Sequence, residues 1–135
     1  MPPVTSRDFQ RAAAHRHIAA EALFGLTLGL DAQYLGGYTV ECSLKALILE
    51  LTLSAAFAER LEKITTGAKM HSPDTLIGIL REQGVILPLE LGKRIRRFEW
   101  STSLRYESGR RDLGETRGFL KTAKAVCDWV EVQLQ

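Results

Sequence analysis

Tyr34, Tyr38, Glu41 and Lys45 recur at helical spacing inside the most apolar run of the chain, Leu35-Gly36-Gly37-Tyr38-Thr39-Val40-Glu41-Cys42-Ser43-Leu44-Lys45-Ala46-Leu47-Ile48-Leu49-Glu50-Leu51. Glu41 and Lys45 form an i,i+4 pair with the acid first. On a solvated helix such a pair contributes only about 0.2–0.5 kcal/mol. On a face turned towards a cleft the same residues could bind an anion: Lys45 would meet a phosphate and Glu41 would orient it. Which applies depends on the faces around them. At roughly 100° per residue, Leu35, Cys42, Ala46, Leu49 and Leu53 form one apolar flank, and Val40, Leu44, Leu47 and Leu51 the other. Two polar seams separate the flanks. One carries Tyr34, Tyr38, Glu41, Lys45 and Thr52, the other Gly36, Thr39, Ser43, Glu50 and Ser54. A helix apolar on two flanks belongs in the middle of a bundle. At most one seam need face water, and the polar groups of the other then need partners.

Other residues could join that chemistry. Arg105 could offer a guanidinium to phosphate and Tyr106 a ring to a base; the plain alternative packs the ring on the bundle end and pairs Arg105 with Glu107 or Glu41. His71 stands just before a helix start and could act as an acid or base, although a lone loop histidine is more often structural. Arg11, His15, Arg16 and His17 make a basic patch on the first helix. Residues 93–111 hold Lys93, Arg94, Arg96, Arg97, Arg105, Arg110 and Arg111 against Glu99 and Glu107, so a local basic surface is expected there. No metal-ligand spacing, catalytic triad or glycine-rich phosphate loop is present, and no cofactor is implied.

The elements that must position these residues are all helical. The chain has 135 residues, one domain's worth, and its 45% hydrophobic and 25% charged content is that of a folded globular chain. A net charge of +2 is too small to imply nucleic acid by itself. No apolar run reaches the roughly 18 residues that span a membrane, and the N-terminus lacks a signal-peptide pattern, so a cytoplasmic protein is expected. Cys42 and Cys127 are far apart on apolar stripes and read as buried free thiols. Thr5 or Ser6 caps a first helix that runs to about Leu28. Asp31 caps a second from about Ala32 to Leu53, with a possible continuation through Phe57 to Ile64. Thr65–Lys69 reads as a loop. Ser72-Pro73-Asp74 opens a third helix ended by Gly84, and Val85-Ile86-Leu87 reads as buried coil. Pro88 opens a fourth helix on Leu91, Ile95 and Phe98. Ser101–Arg111 reads as a loop or frayed end. Asp112 with Glu115 starts the last helix. The expected fold is an all-α, up-down antiparallel bundle of four or five helices in a single domain, 1–135.

With this architecture, the run Leu35-Gly36-Gly37-Tyr38-x-Val40-Glu41-Cys42-x-Leu44-Lys45-Ala46 resembles the HEPN family, the higher eukaryotes and prokaryotes nucleotide-binding domain. Members place a Gly-Tyr-x-x-Glu-x-x-Leu-Lys pattern on the second helix. A His-containing start to the third helix (here Met70-His71-Ser72-Pro73) and an aromatic followed by Arg-Tyr (here Trp100 and Arg105-Tyr106) fit the same order, over about Arg11 to Trp129. The resemblance implies a bundle that often dimerises and has a cleft for nucleotide or RNA, with Tyr38, Glu41, Lys45, Arg105 and Tyr106 as ligand-binding candidates. It also implies a possible minimal nucleotidyltransferase partner in a toxin–antitoxin pair. Many members are metal-independent ribonucleases that use an Arg, a short spacer and a His near the final helices. Here no histidine follows Arg105, and the sole match to that pattern, Arg11 to His17, lies on the first helix. A non-catalytic binding domain is therefore the preferred reading. A ribonuclease using His71 with Arg105, or Arg11 with His17, is the alternative, and a purely structural dimeric partner protein is a third.

Overall fold

The computed structural model describes residues 1–135 and contains six α-helices and no strand. The first is α1 (Ser6–Gly25), whose start is a reciprocal cap. Thr5 Oγ1 accepts from the Asp8 N–H at 3.1 Å, and the Asp8 carboxylate accepts from the Thr5 N–H at 3.2 Å. Ser6 has a different task. Its buried hydroxyl donates to the Ala46 carbonyl at 2.8 Å, tying α1 to the helix that follows.

That helix, α2 (Gly29–Glu50), begins three residues earlier than its capping pattern suggests. Asp31 lies in its first turn rather than at its cap, and no side chain caps it. The start is set by packing instead. A Cβ on buried Gly29 would come within 3.0 Å of Thr116 Oγ1, so the glycine lets the α1–α2 corner close against the C-terminal helix. Thr27, at φ 62°, turns the corner.

The expected long second element divides. Thr52 Oγ1 donates back to the Ile48 carbonyl at 2.6 Å, Leu53 is extended, and α3 (Phe57–Thr65) starts afresh. Apolar periodicity runs through this break, so only the Thr52 back-bond marks it. This division supplies the sixth helix. Gly67, at φ 93°, then leads into a 3₁₀ turn (Ala68–His71) where a plain loop was expected. Ser72 and Pro73 do open α4 (Pro73–Glu82), although the Ser72 hydroxyl makes no capping bond. Gly84, at φ 87°, ends it. The connector that follows is coil, as expected, but only Leu87 of it is buried; Ile86 is 73% exposed.

The remaining helices are α5 (Leu89–Arg97) and α6 (Leu113–Leu134), joined through a 3₁₀ turn at Thr102–Tyr106. Asp112 caps α6, accepting from the Glu115 N–H at 2.8 Å. Arg96 reaches Asp74 at 3.1 Å and links α5 to the start of α4.

α2 is the centre, packed by α1, α6 and α4. Within the helix both apolar flanks are buried, Leu35 only partly, and so are both polar seams apart from Glu50 and the partly covered Tyr34 and Tyr38. Past its end Leu51, Leu53 and Ser54 are exposed. The glycine pair explains how neighbours come so close. A Cβ on Gly36 would meet Leu120 at 2.8 Å, and one on Gly37 would lie 1.8 Å from the Trp100 ring. Glycine inside a helix costs about 1 kcal/mol against alanine; here it makes room for an indole. On the second seam, Thr39 Oγ1 and Ser43 Oγ are buried without a partner, contrary to the expectation that a covered seam satisfies its polar groups.

Cys42 and Cys127 are free thiols. Burial pushes the Cys42 thiol up to about 12. Cys127 is only half-buried, although burial still raises it.

Candidate functional site

The first seam of α2 ends against a small polar hollow. Glu41 and Lys45 are 5% and 3% exposed, so their pairing is not the solvated contact of a surface helix. Lys45 Nζ donates to Glu41 Oε2 at 3.0 Å. The other carboxylate oxygen, Oε1, takes His71 Nδ1, also at 3.0 Å. His71 ends the 3₁₀ turn after Gly67, and its side chain remains 42% exposed. One buried carboxylate therefore holds a buried cation and a half-exposed imidazole side by side. Taking two charges out of water is costly unless each is paired and hydrogen-bonded. Glu41 meets that condition with both oxygens used. Lys45 does not, because an ammonium has three donors and only one finds a protein acceptor.

Those donors lie on the wall of a pocket of about 320 Å³ between the two 3₁₀ turns, lined by Lys45, Thr65, Gly67, Met70, His71, Thr102 and Arg105 among others. Arg105 arrives from the Thr102–Tyr106 turn, which starts when Ser101 Oγ accepts from the Ser103 N–H at 3.2 Å. Its guanidinium lies 4.8 Å from the centre of the Tyr106 ring. Neither Glu107 nor Glu41 pairs with it; Glu107 takes Arg111 instead. Tyr106 is 79% exposed, so its ring is not packed on the bundle end.

Tyr38 and Tyr34 form the aromatic continuation of the seam. Their hydroxyls meet at 3.2 Å and their rings cross edge to face at 5.2 Å. Trp100 fills the hollow above Gly37, donates from Nε1 to the Tyr34 carbonyl at 3.2 Å, and crosses the Tyr38 ring at 5.2 Å. Burial, then the Tyr34 hydroxyl, raises the Tyr38 phenol far above its ordinary value, so it serves as a neutral hydroxyl.

The sequence candidates thus divide. Lys45, His71 and Arg105 line one pocket, with Glu41 holding the first two, Tyr38 beside His71 and the Tyr106 ring against Arg105. Arg11 and His17 do not meet there. Arg11 lines a groove with the N-terminal segment Met1–Val4, and His17 turns to Glu21 at 3.7 Å on the opposite side of α1 from solvent-facing His15. Thr65, Gly67, Met70 and Thr102 are pocket residues that sequence reasoning did not select; only the glycine before a histidine-bearing turn hinted at them. No group of three or more His, Cys, Asp and Glu side chains comes together to hold a metal ion. No helix is long and apolar enough to cross a membrane.

The fold and site define an all-α bundle in which a buried Lys–Glu pair and a half-exposed histidine meet at a basic pocket. No protein family, characterised protein or solved structure matches the chain.

Proposed function

We propose that this chain is a binding module for the phosphate of a nucleotide or RNA, working in the manner of a HEPN domain. The observation that carries the reading is the meeting of buried Lys45 and exposed Arg105 on one pocket, where two of the three Lys45 donors find no protein acceptor. Those donors suit an oxyanion, and the exposed Tyr106 ring offers a base a face to stack on. The homodimer and a minimal nucleotidyltransferase partner in a toxin–antitoxin pair extend this reading and rest on the resemblance alone; the cytoplasmic setting rests on the sequence pattern.

Equilibrium titration with a short single-stranded RNA and with nucleoside phosphates tests it. Lys45→Met is expected to weaken binding by roughly ten- to a hundredfold, the effect of one charge-assisted hydrogen bond. Arg105→Ala, at an exposed site, is expected to weaken it less and to leave the fold intact by circular dichroism. Unchanged affinity in both variants overturns the proposal. The ribonuclease reading is favoured at His71 and Arg105, because they share the pocket, and disfavoured at Arg11 and His17, which do not approach it. RNA held with the protein in EDTA should stay intact under the binding reading. Cleavage that disappears in His71→Ala would move the assignment to a nuclease.

A further inference from the structure

Glu41 sets more than the position of His71: it sets which of the two ring nitrogens faces the ligand. A carboxylate oxygen can only accept in this pairing, so the Nδ1 that meets Glu41 Oε1 at 3.0 Å carries the hydrogen. In the neutral ring, Nε2 is then a bare acceptor. It has no partner in the protein, and the ring lines the pocket. The pocket therefore mixes two kinds of demand. Lys45 and Arg105 offer only donors and need acceptors, which an oxyanion provides. His71 Nε2 offers only a lone pair and needs a donor, which a phosphodiester oxygen cannot provide.

From this we infer that the pocket selects ligands carrying a hydroxyl next to an oxyanion, and so a ribonucleotide phosphate over its 2′-deoxy counterpart. An ammonium could also donate to Nε2, but two cations, Lys45 and Arg105, line the same wall and would repel it. A hydroxyl donates without charge. The adjacency is fixed by the protein, because His71 and Lys45 hang from the two oxygens of one buried carboxylate. Glu41 is thus a positioning residue for specificity: it fixes the tautomer and the spacing but does not touch the ligand.

The inference rests on the anion-binding reading above, and the test separates the two. The full chain is titrated near pH 8, well above the ordinary histidine range, with adenosine 3′-phosphate, 2′-deoxyadenosine 3′-phosphate and inorganic phosphate. The ribonucleotide should bind about fivefold more tightly than the deoxyribonucleotide, the effect of one neutral hydrogen bond. His71→Asn keeps an amide donor for Glu41 but removes the Nε2 acceptor. It should bring the two affinities together, mainly through weaker binding of the ribonucleotide. Equal affinities in the unsubstituted protein, or a preference that survives His71→Asn, overturn the hydroxyl inference and leave the anion site standing. Binding of none of the three, inorganic phosphate included, overturns both.

Discussion

Twice in this fold a glutamate holds a basic side chain and a histidine together, and the two arrangements behave differently. Glu41 holds Lys45 and His71 inside the bundle; Glu21 holds Arg117 and His17 where α1 runs beside α6. At Glu21 the guanidinium fork takes both carboxylate oxygens, at 2.9 and 3.0 Å, and lies 4.1 Å over the Phe24 ring. His17 is left with a longer contact of 3.7 Å. That cluster is closed on the side of the acid, since both its oxygens go to one cation and an aromatic covers the pair. At Glu41 each oxygen goes to a different partner, and the lysine keeps donors to spare beside a pocket. Arg117 spends two of its five N–H donors on the acid and is open enough for water to take the others. Lys45 is buried, and its two spare donors have only the pocket to turn to. The comparison separates a clasp from a site by where the spare donors lie, in water or against a pocket, with similar residue types in both.

The sharpest way to break the comparison is to remove each acid. Glu41→Leu leaves Lys45 almost wholly buried with no counter-charge, and unfolding by denaturant should show a loss of about 3–5 kcal/mol. The double variant Glu41→Leu/Lys45→Met should recover most of it, because an apolar pair of similar volume needs no desolvation. A double variant as unstable as the single one would mean that the acid's contact with His71, not the ion pair, holds the seam. The matching change on the other side, Glu21→Gln, should cost no more than about 1 kcal/mol, since both partners are roughly a third exposed and water screens them. Added salt should shrink that cost further while leaving the Glu41 effect in place. A Glu21→Gln loss as large as that of Glu41→Leu would erase the distinction.

The two regions also differ in how much of them the sequence disclosed. Periodicity alone put α2 in the centre and set Tyr38, Glu41 and Lys45 on one seam, because a 3.6-residue repeat is a local property that the packed helix keeps. The glycine pair pointed to close approach, and Trp100 is what approaches. His71 and Arg105 could be singled out by residue type, but their meeting depends on the path of two 3₁₀ turns, which no spacing encodes. The clasp went unread for a similar reason. Glu21 and Arg117 lie 96 residues apart, and nothing local to either announces the other. The break at Thr52 was hidden because apolar residues continue through it, and the start of α2 because a buried glycine contact outweighed the capping preference of Asp31.

Acid pH offers a finer test of the clasp. Burial lowers the His17 basicity; Glu21 and Asp128 oppose this, and Lys124 and Arg117 add to it. One ring nitrogen, Nδ1, is buried without a partner. A folded-state value below the unfolded 6.5 means that the unfolded chain takes up the proton first. His17 therefore makes no pH-dependent contribution above that range, and it draws stability down as pH falls through it towards the folded value. Glu21 has the opposite history. The Arg117 hydrogen bonds, ahead of burial, hold its carboxyl below the ordinary 4.5, so its contribution is present above that value and lost only at lower pH. Stability measured by denaturant midpoint should thus decline in two stages, the first beginning near pH 6.5. In His17→Gln the first stage should flatten while the second persists, a smaller change than either acid substitution produces. If the first stage is unchanged in His17→Gln, the buried face of that ring is not what the proton disturbs, and the closed character of the clasp would have to rest on Arg117 and Phe24 alone.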